Sequence, residues 1–128
     1  MQIRFLGTSH GVPMPERFYQ SMLIETDNGN SYLVDAGAPV MDLLVRLNYD
    51  LTRVKAVFIT HHHMDHMLGL FDLISLPSWY YTEMGYKLYL PEENTINAFK
   101  AYVDNFLAGK MSSKISFHLV LLLYSKII

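Results

Sequence analysis

A hydrophobic strand that runs directly into a group of histidines constrains the fold of this chain most. Residues 54–59, VKAVFI, are rich in β-branched and aromatic side chains and predict a buried strand. Residues 61–66 then read HHHMDH, and from Met67 onward apolar side chains recur at helical spacing. In α/β proteins, rigid elements of this kind deliver reactive side chains into a loop at the sheet edge. We therefore predict an α/β fold with a functional site at this junction.

The rest of the chain alternates between strand and helix signals. An Asn/Gly turn at residues 27–30 predicts a hairpin, because Asn and Gly tolerate positive φ. No linker or internal repeat divides the chain, so residues 1–128 are expected to form one domain with a mixed or antiparallel sheet and helices on one face. Strands are predicted at residues 2–6, 21–26, 31–34, 54–59, 87–90 and 115–123, and helices at residues 39–47, from Asp65 onward, and at 91–106.

The histidine group has the spacing of a metal site. His61 and His63 are two residues apart, so in an extended segment both rings point to one side, and His62 points away. Asp65 and His66 follow where the chain turns into a helix and can bind a second, adjacent metal. The chain has no cysteine, and imidazole with carboxylate suits zinc, with manganese or iron as alternatives. A solvated histidine-rich loop is the other interpretation, but the position after a hydrophobic strand favours a metal site.

Three segments resemble a known superfamily. FITHHHMDHMLGL resembles the H-x-H-x-D-H signature of the metallo-β-lactamase superfamily, and the strand ending in Asp35-Ala36-Gly37 resembles its Asp-x-Gly. FLGTSHGVP, followed by Arg17 and a hairpin, resembles the start of the ribonuclease Z-like branch. The sequence departs from that branch after Gly37, where a Cys-Gly-Glu-Gly-like continuation is missing, and at Phe71, which replaces a proline. The resemblance implies an αββα sandwich, of which this chain holds roughly the first half as a single incomplete domain.

The resemblance also implies roles for individual residues. His61 and His63 would bind the first of two zinc ions, and Asp65 and His66 the second. Asp65 would also be catalytic, because it is a candidate acceptor of a proton from the attacking water. Asp35 would orient a ligand histidine through its free ring nitrogen, with a plain turn residue as the alternative.

The function implied by the resemblance is that of a zinc-dependent hydrolase, in which two zinc ions activate a water molecule. Phosphodiesters are the expected substrates, and tRNA 3′ processing is the most specific version. Another hydrolase of the same fold, acting on esters or cyclic nucleotides, and an inactive metal-binding fragment are the alternatives. The family's later ligands are a third His, a bridging Asp and a last His, yet only His118 follows the cluster and no Asp follows Asp104. His118 fits an ordinary strand residue better than a ligand.

Charge and hydropathy limit the partners and the location. The net charge is −2, and the ten lysine and arginine residues form no cluster, so charge alone does not indicate RNA binding. RNA nevertheless stays a substrate candidate through the resemblance, beside small phosphodiesters. The start lacks the pattern of a signal peptide, and the apolar run at 119–124 is far shorter than the ~20 residues that span a bilayer. We expect a soluble cytoplasmic protein without membrane contact, whose uncovered inner sheet face favours a homodimer.

Two weaker features complete the sequence-based expectations. His10 in the Gly-rich loop is interpreted as a solvated residue, with a place at the rim of the active site as the alternative. The aromatic residues Trp79, Tyr80 and Tyr81 fit rim or core packing, with stacking on a substrate ring as the alternative.

Overall fold

The computed structural model describes residues 1–12 and 14–120, and its elements alternate between strands and helices. A 3-10 turn at Leu51–Arg53 precedes the fourth strand. Each predicted element is present, and most boundaries shift by only one or two residues. The part of the last predicted strand beyond residue 120 lies outside the described residues. The elements are β1 (Gln2–Gly7), β2 (Ser21–Glu25), β3 (Ser31–Ala36), α1 (Val40–Arg46), β4 (Val54–Phe58), α2 (Met64–Met67), α3 (Leu70–Trp79), β5 (Tyr86–Leu90), α4 (Glu93–Phe106) and β6 (Ile115–Leu119).

The six strands form one mixed sheet in the order in which they occur along the chain. β1, β2 and β3 pair antiparallel, and β3, β4, β5 and β6 pair parallel. The predicted hairpin joins β2 to β3, with Gly29 at φ 91° and the Thr26 amide donating to the Asn30 carbonyl at 2.9 Å. Because the carboxyl ends of parallel strands meet at one edge, the residues that follow β3 and β4 lie next to each other.

The two faces of the sheet have different surroundings. Four residues in register across β2 to β5 are fully buried, and we call them the covered row: Leu23, Leu33, Val57 and Leu88. They share one hydrophobic core with Leu44 of α1, Ile74 of α3 and Phe99 of α4, so the helices lie on this face, as predicted. The neighbouring residues on the same strands are only half-buried, and we call them the open row: Met22, Val34, Phe58 and Tyr89.

The helix that was predicted from Asp65 onward is divided into α2 and α3 at Gly69. The Gly69 amide donates to the Ala36 carbonyl at 2.8 Å, which ties this point to the end of β3. A side chain at residue 69 would come within 2.6–2.9 Å of Val40 and of two backbone oxygens at the end of β3. The close approach therefore requires glycine, and the chain bends where it contacts the sheet.

A proline inside α3 leaves one backbone group without its helical partner. Pro77 has no N–H, so it cannot donate to the carbonyl of Leu73 four residues earlier. The hydroxyl of Tyr86, on β5, donates to that same carbonyl at 2.7 Å. Burial raises the pKa of the Tyr86 hydroxyl above its ordinary value. The hydroxyl thus stays protonated and satisfies a buried acceptor.

Candidate metal centre

Asp35 links the three elements that form the site. It is the second-last residue of β3, with φ 64°, and is almost fully buried. Its Oδ1 accepts a hydrogen bond from the Thr60 amide at 2.8 Å, and its Oδ2 lies 2.7 Å from Nδ1 of His66. The Thr60 hydroxyl lies 3.0 Å from both carboxylate oxygens. One carboxylate therefore joins the end of β3, the second residue after β4 and the first turn of α2.

Backbone contacts hold α2 against the loop after β3. The Gln20 amide donates to the carbonyl of Asp65 at 3.1 Å, and the Gly37 amide donates to the carbonyl of Gln20 at 2.9 Å. A Cβ at residue 37 would collide with the Asp65 carbonyl oxygen and with Cβ of Tyr19. The glycine of Asp35-Ala36-Gly37 is therefore required for close packing, and it fixes the position of Asp65.

The four predicted ligands lie together at the carboxyl end of β4. The ring centroids of His61 and His66 are 4.0 Å apart, and those of His61 and His63 are 4.6 Å apart. Nε2 of His66 lies 3.2 Å from Oδ2 of Asp65. Asp65 and His66 are half-buried, whereas His63 is exposed. His62 turns instead toward α4, with its Nδ1 3.3 Å from Oε1 of Glu92.

The donor chemistry of this group fits a divalent metal, although its side chains have not converged on one point. Among the residues that the structure describes, no three His, Asp or Glu groups are arranged to hold a metal ion. The atoms that could bind a metal instead contact neighbouring side chains. The Asp65 carboxylate contacts His66, and Nδ1 of His61 lies 3.0 Å from the Thr60 hydroxyl. However, Asp35 engages one ring nitrogen of His66 and leaves Nε2 toward Asp65, which is the arrangement that metal-binding histidines typically have. Metal binding by the four residues stays a prediction.

A cavity of about 420 Å³ lies beside the cluster. His63 and Asp65 line it together with Tyr19 and Gly11 from the loop that precedes β2. The sequence did not single out Tyr19, because it lies in a loop without periodicity and reaches the site only through tertiary contacts. In this loop the Ser9 amide donates to the Phe18 carbonyl at 2.9 Å, which helps to hold the cavity wall.

The weaker candidates lie away from the cluster or at the surface. His10 is exposed, and so are Trp79, Tyr80 and Tyr81 at the end of α3 and after it. His118 lies on β6 in line with the open row. The centroid of its ring is 5.0 Å from that of Tyr89. Its Nε2 is 2.7 Å from the Ser116 hydroxyl. These positions agree with a strand residue at 118 and with a solvated residue at 10.

None of the helices in the described part of the chain has the length and apolar character needed to cross a membrane.

The sequence is similar to bacterial ribonucleases. A protein named Ribonuclease Z from Prochlorococcus marinus (strain NATL1A) is 32% identical over 124 residues, which cover 94% of this chain and 38% of that protein. Ribonuclease Z from Shouchella clausii is 33% identical over 122 residues, with the same coverage of 94% and 38%. The chain therefore spans well under half the length of these curated relatives.

Solved structures show the same architecture. The short form of human tRNase Z superposes with a TM-score of 0.70 at 26% identity, over 94% of this chain and 44% of that one. Zn²⁺-bound PqqB from Methylobacterium extorquens superposes with a TM-score of 0.67 at 16% identity, over 94% and 46%. The second likeness concerns the fold alone. Both confirm the predicted metallo-β-lactamase fold and match this chain to less than half of each structure.

A family model described as Anti-Pycsar protein Apyc1 matches residues 1–120, nearly the whole chain. The relatives and structures above confirm the predicted superfamily and branch. This chain therefore belongs to the Apyc1 family, has the metallo-β-lactamase fold and is similar in sequence to ribonuclease Z.

Proposed function

We propose that this chain is the metal-binding, N-terminal part of a metal-dependent phosphodiesterase. The observation that carries the proposal is the grouping of His61, His63, Asp65 and His66 at the carboxyl end of β4, with Asp35 2.7 Å from the second ring nitrogen of His66. A buried carboxylate on a histidine fixes the tautomer and the ring orientation, which increases its basicity as a ligand. A group of solvated side chains would not need this support.

In the proposed site, His61 and His63 would hold one zinc ion, and Asp65 and His66 would hold a second, with manganese or iron as alternatives. Bound metal supplies positive charge beside the substrate and lowers the pKa of water toward about 7. Asp65 is the proposed proton acceptor, since its carboxylate lies at the wall of the cavity that would receive the scissile group. Asp35 is a positioning residue that acts through His66 and the backbone of Thr60.

Two classes of phosphodiester are candidates for the substrate. The relatives named Ribonuclease Z and tRNase Z favour RNA, with tRNA 3′ processing as the most specific version. The cavity of about 420 Å³ favours a smaller phosphodiester such as a cyclic nucleotide, because small-ligand sites typically measure about 300–1,000 Å³. The net charge of −2 also gives no sign of a surface that attracts long RNA. A location in the cytoplasm stays a prediction from the sequence.

The chain on its own should have low activity. Four ligands are few for two ions, because a catalytic zinc ion usually has three protein ligands of its own. We therefore expect the 128-residue chain to bind at most about one metal ion firmly and to hydrolyse bis-(p-nitrophenyl) phosphate poorly or not at all. A longer chain that supplies the remaining ligands should be active on that substrate.

Metal content tests the proposal directly. We expect the double variant His61→Ala, His63→Ala to lose most of the zinc that the wild-type chain retains after dialysis, as measured by elemental analysis. His62→Ala is the matched control, since its ring faces Glu92 and its loss should leave zinc content unchanged. Asp35→Asn should retain the fold but weaken zinc affinity by about 10–100-fold in competition with a chelating dye. Unchanged zinc in the double variant would show that this cluster is not the metal site.

A further inference from the structure

A second cavity, of about 580 Å³, lies between two walls: α2 with the first turn of α3 forms one, and the first turns of α4 form the other. His62 and Met64 line both this cavity and the smaller one beside His63 and Asp65, so the two adjoin. We call the larger one the α3–α4 groove. Its volume falls within the range of about 300–1,000 Å³ that is typical for small-ligand sites. A ligand that reaches from one cavity into the other would therefore have one end at the candidate metal centre.

The wall of the α3–α4 groove is apolar and partly aromatic. Phe71 is 40% exposed and Met64 is 73% exposed, and the two line the same cavity, so their apolar surfaces face one space. The ring of Phe71 is held in place by Phe99 at 5.4 Å and by Tyr102 at 4.8 Å between centroids. Flat rings pack well on aromatic faces and on the flexible, polarisable side chain of methionine. The wall therefore suits a planar ring better than a branched or charged group.

One rim of the groove is polar. Glu92 and Asn94 line it where α4 begins, and the side chain of Glu92 is about half-exposed beside His62. A carboxylate accepts hydrogen bonds from N–H groups and repels a phosphate. A phosphorylated ligand would therefore place a group with N–H donors beside Glu92 and its phosphate in the smaller cavity, where the proposed metal ions would offset the charge of Asp65.

We infer that the α3–α4 groove binds the base of a nucleotide substrate, with a preference for a base that carries an exocyclic amino group, such as guanine. The faces of the base lie against Phe71 and Met64, and its N–H edge donates to the carboxylate of Glu92. The phosphodiester then lies beside His63 and Asp65. This inference rests on the proposed function and names the substrate group that a phosphodiesterase site would recognise.

Methionine methyl NMR on the 128-residue chain tests the inference without metal or turnover. With ¹³C-methyl methionine, guanosine in the millimolar range should shift the signals of Met64 and Met67, which line the groove. The signals of Met41 and Met84, which are buried in the core, should not move. Ribose, which lacks both a base and a phosphate, should leave all four signals unchanged. Equal shifts with both compounds, or none with guanosine, would overturn the inference.

Variants at the groove locate the binding. Glu92→Gln should weaken guanosine binding by about 10-fold, because one good hydrogen-bonded base contact contributes discrimination of this order. Ala98→Phe, at an exposed helix position that lines the groove, should fill it and abolish the shifts. Glu93→Gln is the matched control, since this neighbouring acid is exposed and does not line the groove. An equal loss in Glu92→Gln and Glu93→Gln would count against the assignment.

The outcome is separable from that of the metal experiment. Guanosine carries no phosphate and needs no metal ion, so its binding tests the groove alone. Zinc retention without guanosine binding would leave the proposed function standing and reject the groove. Guanosine binding that persists in the double variant His61→Ala, His63→Ala, together with unchanged zinc in that variant, would support the groove and reject the proposed metal centre.

Discussion

The covered row and the open row occupy neighbouring positions on the same four strands, yet within the described residues helices pack only on the covered row. Helices α1, α3 and α4 pack on the covered row, and its four residues are fully buried. The open row has no such layer within residues 1–12 and 14–120, and Phe5, which continues it onto β1, is 66% exposed. The alternation of strand side chains gives the sheet two apolar faces, and the helices described by the structure cover one of them. The open row is therefore a surface for a further layer.

The candidate metal centre lies at the edge that both faces of the sheet share. Like the open row, it is only partly enclosed by the described residues. Asp35, Thr60 and His66 are fixed by contacts within the chain. His63 is exposed, and the side chains of the four predicted ligands have not converged on one point. In an αββα sandwich the opposite layer would cover the open row and bring further ligands to this edge. We therefore expect that the same added layer would both cover the open row and complete the metal site.

The largest expected difference between the rows is in stability. Leu88→Ala on the covered row should lower the free energy of unfolding by about 2–5 kcal/mol, because it leaves a cavity in a packed core. Tyr89→Ala, one residue later on the open row, should cost about 1 kcal/mol or less, because its surroundings are half solvent. Urea denaturation of both variants measures the contrast. Similar losses for the two would show that the open row is already packed in solution.

A smaller effect concerns hydroxyl groups on the two faces. Tyr86→Phe should lower the free energy of unfolding by about 1–3 kcal/mol, because the Leu73 carbonyl loses the donor that replaces the missing N–H of Pro77. Tyr89→Phe is the matched control and should have almost no effect. In a Pro77→Ala background the backbone can donate to Leu73 again, so the cost of Tyr86→Phe should shrink. A double-mutant cycle by urea denaturation measures this coupling, and an unchanged cost would contradict the explanation.

The pH dependence of stability has a definite sign at Tyr86. Burial raises the pKa of its hydroxyl in the folded chain, whereas the unfolded chain ionises near pH 10. Above that pH the unfolded state binds fewer protons, so the free energy of unfolding falls as the pH rises. The stabilisation by the neutral hydroxyl is fully present below about pH 10. Wild type should therefore lose more stability than Tyr86→Phe between pH 9 and 11, roughly the range around the ordinary tyrosine pKa.

Local sequence signals predicted the elements of both rows and the position of the histidine cluster after β4, because each depends on residues close together in the chain. The alternation in β2 and β3, the turn at Gly29 and the histidines after β4 are signals of this kind. Contacts between distant segments were not predictable. Glycine is required at residue 37 because a Cβ there would collide with Tyr19 and Asp65. The hydroxyl that donates to the Leu73 carbonyl comes from β5, a different element. The α3–α4 groove likewise forms only when two helices meet.

A charge placed on the open face should change the free energy of unfolding least of all these variants. It should nevertheless weaken self-association measurably. We expect this chain alone to self-associate through the open row, because contiguous apolar surface of this kind is rarely left in water. Phe5→Lys adds a charge on the edge strand β1, next to Met22, and charged residues on edge strands oppose pairing between sheets. Its effect on the free energy of unfolding should stay within about 0.5 kcal/mol, as for other exposed positions.

Sedimentation velocity over a range of concentrations measures the association of Phe5→Lys against wild type. Gln2→Lys is the control, because it adds the same charge to the same strand at an exposed position whose side chain alternates onto the other face from Phe5. Wild type and Gln2→Lys should form dimers or larger species at concentrations where Phe5→Lys is still monomeric. If wild type is monomeric throughout, a second copy does not cover the open row. Equal association of all three proteins would place the contact elsewhere, and the open row would then await a different layer.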